Sequence, residues 1–345
     1  MTTLDLTTPA LLVERRELVH NLATMAAALP GPRLRPHVKA HKCLGIARLQ
    51  AEHGHRTFTC ATIREVEGLA HAGLGDDILL ANEVVDARRL GRLDARVTVA
   101  VDSAETIAAA ARGGVKEVVL DVNVGLPRCG CAPGAAGALA EQARRSGLGV
   151  RGVMGYEGHV VGLDDRAIRI AKTAESMALL RAAHADVGGD LISAGGTGTY
   201  DINTWATEIQ AGSYALMDTA YARLGLPFRQ ALSVLATVIS VNAGFAVADC
   251  GLKALGMDHG NPTIAGSKVW FCSDEHVTFG LDEHTALAVE GQPPDAPRTA
   301  RTLRVGDRIR VWPAHVDPTM AYHERVHVVA GEQLLECWPI ELRGW

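Results

Sequence analysis

The stretch VTVAVDSAETIAAAARGGVKEVVLDV, residues 97–122, decides the fold class of this chain. It begins with an apolar run rich in β-branched residues (97–101) and continues with an alanine-rich segment (104–112) that has helical period. A second apolar run (117–122) ends it. Short apolar runs are typical of buried strands, and the segment between them has the pattern of an amphipathic helix. Two strands joined by one helix predict a parallel βαβ unit.

The same alternation extends over the first two-thirds of the chain. Alanine-rich segments of helical period separate short apolar runs, as expected for repeated βα units around a parallel sheet. The runs with strand character are residues 34–39, 57–61, 77–81, 97–101, 117–122, 150–156, 190–194 and 208–211. Eight such strands predict an α/β fold of the (β/α)8, TIM-like barrel type, which usually takes about 250 residues.

The pattern changes after Leu232. Segments rich in β-branched and aromatic residues, such as LSVLATVISV (232–241) and DRIRVWPAHVD (307–317), are separated by Gly, Pro and Asp without a long amphipathic helix. This pattern predicts an antiparallel β domain of the sandwich or barrel type. We therefore expect residues 1–232 to form the barrel, with the first residues able to pack with the β domain, and residues 233–345 to form the β domain.

Composition narrows the class of partner. The chain has 345 residues, a formal net charge of -5, and Lys and Arg residues that are scattered, so we expect no nucleic-acid partner. No apolar run approaches the roughly 18 residues that cross a bilayer, and we expect no membrane span. The start, MTTLDLTTPALLVERR, lacks a basic segment followed by an apolar one, and the seven cysteines show no C-x-x-C spacing. These features favour a cytoplasmic protein with reduced cysteines.

Lys39 is the first candidate for chemistry. It lies in RPHVKAHK (35–42), at the end of the first predicted strand, and functional residues of such barrels concentrate at the C-terminal ends of the strands. A primary amine there can form a Schiff base with an aldehyde cofactor. His37 and His41 lie two residues away on either side and share its strand face. The alternative is a surface lysine beside a basic loop, and the segment alone leaves both open.

Two glycine-rich loops follow the seventh and eighth predicted strands. They are SAGGTGTY (193–200) and IQAGSY (209–214). Barrels often bind phosphate with the loops after these two strands, because glycine lets backbone N–H groups approach an anion closely. Two such loops opposite a lysine at a strand end indicate a phosphorylated cofactor with an aldehyde, and pyridoxal phosphate is the economical candidate.

Seven motifs together resemble one enzyme family, that of D-threonine aldolase and D-serine dehydratase. The motifs follow one another over nearly the whole chain: RPHVKAHK, CATIREVEGLAHAGLGDDILLAN, VGLPRCG, GYEGH, SAGGTGTY, EIQAGSYALMD and PAHVDPTM. The family has the alanine-racemase-like fold type III, in which a pyridoxal-phosphate barrel precedes a β domain. Its members are normally homodimers with active sites near the interface, which we expect here as well.

The resemblance also implies roles for individual residues. It implies that Lys39 is the Schiff-base lysine. It implies that Thr197, Gly212 and Ser213 contact the cofactor around its phosphate. Tyr156 is implied as a further cofactor contact, and Arg128 as a residue near the pyridine ring.

The motif PAHVDPTM supplies a candidate metal site. His315 and Asp317 are two residues apart in a predicted strand or at its exit, so that both can reach one divalent cation. A solvated polar strand end is the alternative, and the resemblance favours the metal. Dehydratases of the family tend to show His-x-Cys here, and a thiolate favours zinc. The carboxylate of Asp317 favours manganese or magnesium, with zinc as the alternative, and this indicates the aldolase branch.

His159, in GYEGH, follows the sixth predicted strand. A neutral imidazole there can take the proton from a substrate hydroxyl. The alternative is a packing histidine that orients the cofactor. His276, Asp249 and Lys253 have no role that the sequence yields.

These features predict a metal-dependent lyase that uses pyridoxal phosphate to cleave a small D-threonine-like D-3-hydroxy amino acid to glycine and an aldehyde. The main alternative dehydrates D-serine or 3-hydroxyaspartate to a keto acid and ammonia. A racemase is disfavoured because it needs a second base and has no use for the His-Val-Asp pair. A non-catalytic pyridoxal-phosphate carrier is disfavoured because such carriers resemble a lone barrel.

Overall fold

The fold is described from a computed structural model, for residues 1–281, 286–287, 290–291, 298–299 and 303–345. The strands, in chain order, are β1 (Ala10–Glu14), β2 (Thr57–Cys60), β3 (Asp77–Leu80), β4 (Val97–Val101), β5 (Glu117–Asp121), β6 (Gly149–Gly155), β7 (Leu191–Ala194), β8 (Glu208–Ile209), β9 (Leu232–Asn242), β10 (Phe245–Ala248), β11 (Val269–Cys272), β12 (Val277–Gly280), β13 (Ala286–Leu287), β14 (Arg298–Thr299), β15 (Arg308–Val311), β16 (Arg325–Ala330) and β17 (Gln333–Pro339). The helices are α1 (Arg15–Ala28), α2 (Leu44–Glu52), α3 (Ile63–His71), α4 (Ala104–Arg112), α5 (Ala136–Arg145), α6 (Arg166–Val187), α7 (Thr219–Ala222) and α8 (Val316–Tyr322).

The chain folds into two compact units. The barrel unit comprises Leu22–Tyr214 and Glu341–Trp345, and the β unit comprises Met1–Asn21 and Ala215–Ile340. The main segment of the barrel unit thus ends at Tyr214, whereas the predicted division lies at residue 232, and the first residues belong to the β unit, as the sequence analysis allowed.

The connection before β9 explains where the β unit begins. The backbone amides of Ala231 and Leu232 donate to the carbonyl oxygen of Leu216, at 2.7 and 3.2 Å. The side-chain amide of Asn21 donates to the carbonyl oxygen of Ala215 at 3.0 Å. Hydrogen bonds thus join the residues after Tyr214 to β9 and to the first residues of the chain.

The barrel unit contains a parallel sheet in the order β2-β3-β4-β5-β6-β7-β8. An extended segment closes this sheet, because Leu34 pairs with Ile209 and His37 pairs with Thr59, both in parallel. With this segment the barrel has eight strand positions, and the predicted (β/α)8 architecture is confirmed.

The first barrel strand is shorter than predicted. Residues 34–39 were expected to be extended, but Lys39 lies in a 3-10 turn, Val38–Ala40, directly after the pairing of His37. Pro36 has no backbone N–H and contributes only its carbonyl oxygen, which accepts the Thr59 amide at 2.9 Å. The turn leaves Lys39 at the C-terminal end of the strand position, which is the functional end of a barrel.

Two helices of the barrel unit begin at capping boxes. Thr62 precedes α3, and its hydroxyl oxygen accepts the Glu65 amide at 3.2 Å, while Ser103 precedes α4 and accepts the Thr106 amide at 3.3 Å. These bonds satisfy backbone donors that have no partner within the first helical turn. The residues just before α3 and α4 therefore determine where these two helices begin.

A buried ionic network fills the barrel near the N-terminal ends of its strands. Arg35 is 1% exposed, and its guanidinium donates to Glu208 Oε1 at 2.7 Å and to Asp77 Oδ1 at 3.1 Å. Arg151 donates to both oxygens of the same Asp77 carboxylate at 2.8 and 2.9 Å. Each buried charge of this network is paired with an opposite charge, which is the condition for tolerating it in a core.

The β unit is built on a sheet in the order β11-β12-β10-β9-β1-β16-β17, with β15 paired to β9. The predicted antiparallel β domain is confirmed, and the first strand of the chain adds one parallel pair to it, between β1 and β16. The strand β1 comes from the start of the chain, and it lies between β9 and β16 with Leu12 and Val13 fully buried.

None of the helices in the described ranges has the length and hydropathy needed to cross a membrane. The seven cysteines are all free thiols, and Cys129 and Cys337 are the exposed ones.

Candidate functional site

Lys39 is half-buried in the turn that follows the first barrel strand. Its carbonyl oxygen accepts a hydrogen bond from the ammonium group of Lys42. Lys42 has a φ of 52°, a left-handed conformation that is uncommon for a residue with a side chain. The backbone therefore turns sharply after Lys39, and the pattern of the sequence did not indicate this turn.

His37 lies on the strand position just before Lys39. Burial lowers its pKa well below the usual value of 6.5, and the nearby charges of Lys39 and Lys42 lower it further. Its Nδ1 is buried and has no hydrogen-bond partner among the described residues. His37 is therefore a neutral imidazole with one ring nitrogen able to serve a bound group.

The glycine loop after β8 packs directly on the turn of Lys39. A Cβ atom on Gly212 would lie 2.5 Å from the carbonyl oxygen of His37 and 3.0 Å from Cβ of Ala40. Only glycine permits this approach. Ser213 follows Gly212 in the chain, and the prediction that both residues contact the cofactor phosphate stays a prediction.

Thr197 links the glycine loop after β7 to the loop after β8. Its hydroxyl oxygen accepts the backbone amide of Tyr214 at 3.0 Å, and the residue is 2% exposed. A hydroxyl that accepts one bond still has its own proton to donate. The two glycine loops thus meet at a buried hydroxyl beside the turn of Lys39.

Glu157 is a residue of this site whose role the sequence did not reveal. It is fully buried, and its carboxylate accepts the Gly195 amide at 3.1 Å, the Thr199 hydroxyl at 2.8 Å and the Asn203 side-chain amide at 3.2 Å. Three donors on one carboxylate hold the loop of residues 195–199 in a single shape. Its place between Tyr156 and Gly158 in the motif GYEGH was the only available signal.

Tyr156 and Arg128 lie together at the same end of the barrel. The guanidinium carbon of Arg128 is 5.5 Å from the centre of the Tyr156 ring, within the range of a cation–π contact. A Cβ atom on Gly196 would lie 3.4 Å from Cε2 of Tyr156, so the ring lies over the glycine loop. Tyr156 therefore connects Arg128 to the loop that carries Thr197.

His159 is exposed and lies against the loop after β5. A Cβ atom on Gly125 would be 2.9 Å from Cε1 of the His159 ring. Gly125 is in the segment VGLPRCG that also carries Arg128. The geometry therefore places His159 at the mouth of the barrel unit, beside the loop that carries Arg128.

Asp121, at the end of β5, was not singled out by the sequence. Burial raises its pKa to about 8, and the neighbouring carboxyl of Glu83 raises it in the same direction. A nearby like charge raises the cost of ionising Asp121, in the same direction as burial. Asp121 and Arg128 line the same small cleft together with Tyr156.

The β unit brings the two predicted metal ligands together. His315 Nε2 is 3.7 Å from Asp317 Oδ1, and both side chains are largely buried. On the other edge of the ring, Nδ1 is 2.7 Å from Oδ2 of Asp258. The ring of His259 stacks on that of His315 with the centres 3.8 Å apart. Asp258 and His259, in GMDHGN, were missed because they lie far from the HVD motif in sequence.

A buried carboxylate, that of Asp218, binds the backbone between the two predicted metal ligands. Asp218 is fully buried and accepts the backbone amides of Tyr221 at 2.9 Å and Val316 at 3.2 Å. Burial raises its pKa to about 6, against the lowering effect of these two hydrogen bonds. Asp218 fixes the backbone between His315 and Asp317.

The three residues without a derived role have structural contacts. Asp249 accepts the Thr8 hydroxyl and the Thr237 amide, both at 2.6 Å. Lys253 forms an exposed ion pair with Glu275. The amide of His276 donates to the Ser273 hydroxyl at 3.2 Å.

The donor groups fit the cofactor and the metal that the sequence indicates. The barrel unit has the kinds of group that a phosphorylated aldehyde needs: the amine of Lys39, the buried hydroxyl of Thr197 and the close backbone contact at Gly212. His37 Nδ1, which has no hydrogen-bond partner among the described residues, is a further one. In the β unit, an imidazole nitrogen and a carboxylate oxygen suit a borderline or hard divalent ion.

Comparison with known proteins gives matches over both units. The family model "Alanine racemase, N-terminal domain" matches residues 13–220, and the model "Putative serine dehydratase domain" matches residues 231–329. A D-threonine aldolase from Arthrobacter sp is 33% identical over 370 residues, which cover 98% of this chain and 93% of the relative.

Two further proteins are similar over the whole chain. The D-threo-3-hydroxyaspartate dehydratase of Delftia sp. (strain HT23) is 29% identical over 383 residues, covering 100% of this chain and 99% of the relative. The crystal structure of D-threonine aldolase from Filomicrobium marinum superposes with a TM-score of 0.88 at 30% identity, covering 99% of this chain and 97% of that one. These matches confirm the resemblance that the sequence motifs indicated.

Proposed function

This chain belongs to the alanine racemase N-terminal domain family, and from that membership we propose that it is a pyridoxal-phosphate-dependent, metal-dependent lyase of the D-threonine aldolase type. Its substrate is a small D-3-hydroxy amino acid, and its products are glycine and an aldehyde. The observation that carries the proposal is the convergence of the Lys39 turn, the Gly212 loop and the Thr197 hydroxyl at one end of the barrel.

The barrel unit would hold the cofactor. Lys39 would bind its aldehyde carbon covalently, and Thr197, Gly212 and Ser213 would bind its phosphate through a hydroxyl and backbone N–H groups. Tyr156 and Arg128 would contact the ring. When bound, pyridoxal phosphate supplies an electron sink for a bond broken at Cα of an amino acid.

His159 is proposed to accept the proton of the substrate 3-hydroxyl. Its exposure at the barrel mouth makes the ring accessible, and histidine is the side chain that most often serves as a general base. Loss of that proton is what allows the bond between Cα and Cβ to break with formation of an aldehyde.

The β unit would hold the metal, through Nε2 of His315 and Oδ1 of Asp317. The carboxylate favours manganese or magnesium over zinc. A divalent ion there would supply Lewis acidity that lowers the pKa of a substrate hydroxyl.

The second candidate function is dehydration of D-serine or 3-hydroxyaspartate to a keto acid and ammonia. It is favoured by the match of residues 231–329 to a putative serine dehydratase domain and by the dehydratase from Delftia. The carboxylate at Asp317, in place of a thiol, makes the aldolase our first choice. A racemase or a non-catalytic carrier does not explain the His315 and Asp317 pair.

We also propose that the protein is a cytoplasmic homodimer. The seven free thiols fit a reducing compartment. The homodimer follows from the family resemblance. Light scattering coupled to size exclusion would measure the mass directly, and a mass of one 36.5 kDa chain would contradict the dimer.

The decisive experiment separates the two reactions by their products. The protein, pyridoxal phosphate and Mn²⁺ are incubated with D-threonine, D-serine and D-3-hydroxyaspartate, and glycine and ammonia are assayed separately. Glycine and aldehyde in equal amounts support the aldolase. Ammonia and a keto acid without glycine would establish the dehydratase, and neither product from any substrate would contradict both.

A further inference from the structure

A short antiparallel pairing brings the segment of residues 256–263 against the metal motif. Gly256 pairs with His315, and Thr263 pairs with Trp312. The amides of Thr263 and Trp312 each donate to the other's carbonyl oxygen at 2.9 Å. The backbone of this segment is therefore fixed beside the residues that lead from β15 to α8, among them His315.

Contacts at Gly256 make this approach close. A Cβ atom there would be 2.2 Å from Cγ of Pro318, so only glycine fits. The Gly256 amide donates to the hydroxyl of Thr319 at 2.9 Å, and that hydroxyl donates to the carbonyl oxygen of His315 at 2.7 Å. These contacts place Asp258, two residues after Gly256, next to the ring of His315.

Asp258 contacts one specific edge of that ring. Its Oδ2 is 2.7 Å from Nδ1 of His315, a distance typical of a strong hydrogen bond to a carboxylate. A carboxylate can only accept, so Nδ1 carries the proton. In the neutral imidazole, Nε2 then has a free lone pair, and Nε2 is the atom that faces Asp317 at 3.7 Å.

We propose that Asp258 is a positioning residue that holds His315 in the tautomer and orientation in which Nε2 binds a divalent metal with Asp317. The stacked ring of His259 limits rotation of His315 from the side. The inference rests on the proposed function only in requiring a metal at His315. It assigns Asp258 a role through His315 and no contact with the ion.

A different arrangement would make Asp258 itself a ligand. Suitable atoms of Asp258, His259 and His315 all lie within 4.8 Å of one another. The lone-pair directions of Nδ1 and Nε2 diverge, however, so an ion on Nε2 beside Asp317 lies away from the carboxylate bound at Nδ1. Carboxylates in this position behind a metal-binding histidine commonly orient the ring and raise its basicity.

The first arm of the test measures Mn²⁺ affinity without substrate. Free Mn²⁺ is titrated by electron paramagnetic resonance with wild type, Asp258→Asn, Asp258→Ala and Asp317→Ala, all loaded with pyridoxal phosphate. We expect Asp258→Ala to bind Mn²⁺ on the order of 10 to 100 times more weakly, and Asp258→Asn to lose less because its amide oxygen still accepts from Nδ1. The control Asp274→Ala removes an exposed carboxylate of the same unit and should bind as wild type does.

The second arm measures the tautomer in metal-free protein. Long-range ¹⁵N spectra of histidine-labelled protein, assigned with His315→Gln, should show His315 protonated at Nδ1 in wild type and a mixture in Asp258→Ala. A purely structural role would leave the tautomer unchanged.

Two outcomes overturn the proposal: unchanged Mn²⁺ affinity in both Asp258 variants, or a wild-type His315 protonated at Nε2. Loss in Asp258→Asn as complete as in Asp317→Ala would also overturn it, since that result makes Asp258 a ligand. Because neither arm uses substrate, an absence of glycine release would count against the proposed function alone.

Discussion

The carboxylate of Glu157 accepts the hydroxyl of Thr199 at 2.8 Å, in a position where Glu157 is fully buried and 42 residues from Thr199 in the chain. The same carboxylate accepts the Gly195 amide. A residue of the motif GYEGH thus sets the shape of the glycine loop after β7, which carries Thr197.

Glu157→Gln should weaken binding of pyridoxal phosphate by about 10-fold, since one unsatisfied buried donor costs about 1–3 kcal/mol. In this variant the amide oxygen of Gln can still accept hydrogen bonds from Thr199 and Asn203. Its NH₂ group then faces the Gly195 N–H, and neither of these two donors has an acceptor. Cofactor fluorescence titration of apoprotein measures the affinity. Glu141→Gln, on an exposed face of α5, is the matched control. Equal affinity in both variants would show that Glu157 does not shape the site.

Borohydride reduction of the purified protein with pyridoxal phosphate should fix the cofactor on Lys39, and the protein should be yellow before reduction. Lys39 lies in the turn against which the Gly212 loop packs. Peptide mapping by mass spectrometry identifies the modified lysine. A label on Lys42 or Lys253, with Lys39 unmodified, would refute the assignment.

Gly212→Val should elute largely without cofactor, because its side chain would begin 2.5 Å from the carbonyl oxygen of His37 and displace the loop from the Lys39 turn. The ratio of absorbance near the cofactor band to that of protein gives the occupancy. Gly134→Val is the control, since a Cβ atom at Gly134 meets nothing within 4 Å. Undiminished occupancy in Gly212→Val would move the phosphate site elsewhere.

His315→Ala and Asp317→Ala should retain pyridoxal phosphate and release no glycine from D-threonine, because each removes one of the two proposed metal ligands. Chelator should abolish wild-type cleavage, and Mn²⁺ or Mg²⁺ should restore it. Asp317→Cys should shift the preference toward zinc, since a thiolate is a softer ligand. Full activity in chelator, with no metal found by elemental analysis, would remove the metal from the proposal.

Acid should weaken the barrel through Asp77. Burial raises the pKa of Asp77, but hydrogen bonds and charges of Arg151 and Arg35 outweigh that effect and lower it from 3.8 to about 2. A lowered pKa in the folded state means that the stabilisation is complete above pH 3.8 and is lost as the pH falls toward 2. Asp77→Asn should lose on the order of 2 kcal/mol in free energy of unfolding at pH 7.

Urea unfolding at pH 7 and pH 3 checks the sign of this effect. The difference between wild type and Asp77→Asn should shrink at the lower pH. A difference that is constant with pH would show that the charge of Asp77 does not contribute. Asp94→Asn, an exposed substitution in the same unit, should change neither value.

The sequence alone determined the alternation of strands and helices and the loops that follow the barrel strands. Apolar runs such as residues 97–101 report burial locally, so the (β/α)8 barrel was readable from periodicity. Lys39 and the two glycine loops were readable because barrel geometry brings strand ends to one edge. The HVD motif was readable because its two side chains are neighbours in the chain.

The tertiary structure alone decided which groups from distant parts of the chain form hydrogen bonds with the glycine loop after β7 and with His315. Glu157 reaches Gly195 across 38 residues, and Asp258 reaches His315 across 57. The parallel pairing of β1 with β16 joins the start of the chain to its end. Periodicity records which face of a segment is buried, whereas a hydrogen bond between segments depends on where the folded backbone carries them. For that reason the sequence predicted the groups that we propose to touch cofactor and metal, and only the folded chain showed the carboxylates of Glu157 and Asp258 hydrogen-bonded to the Gly195 amide and to His315.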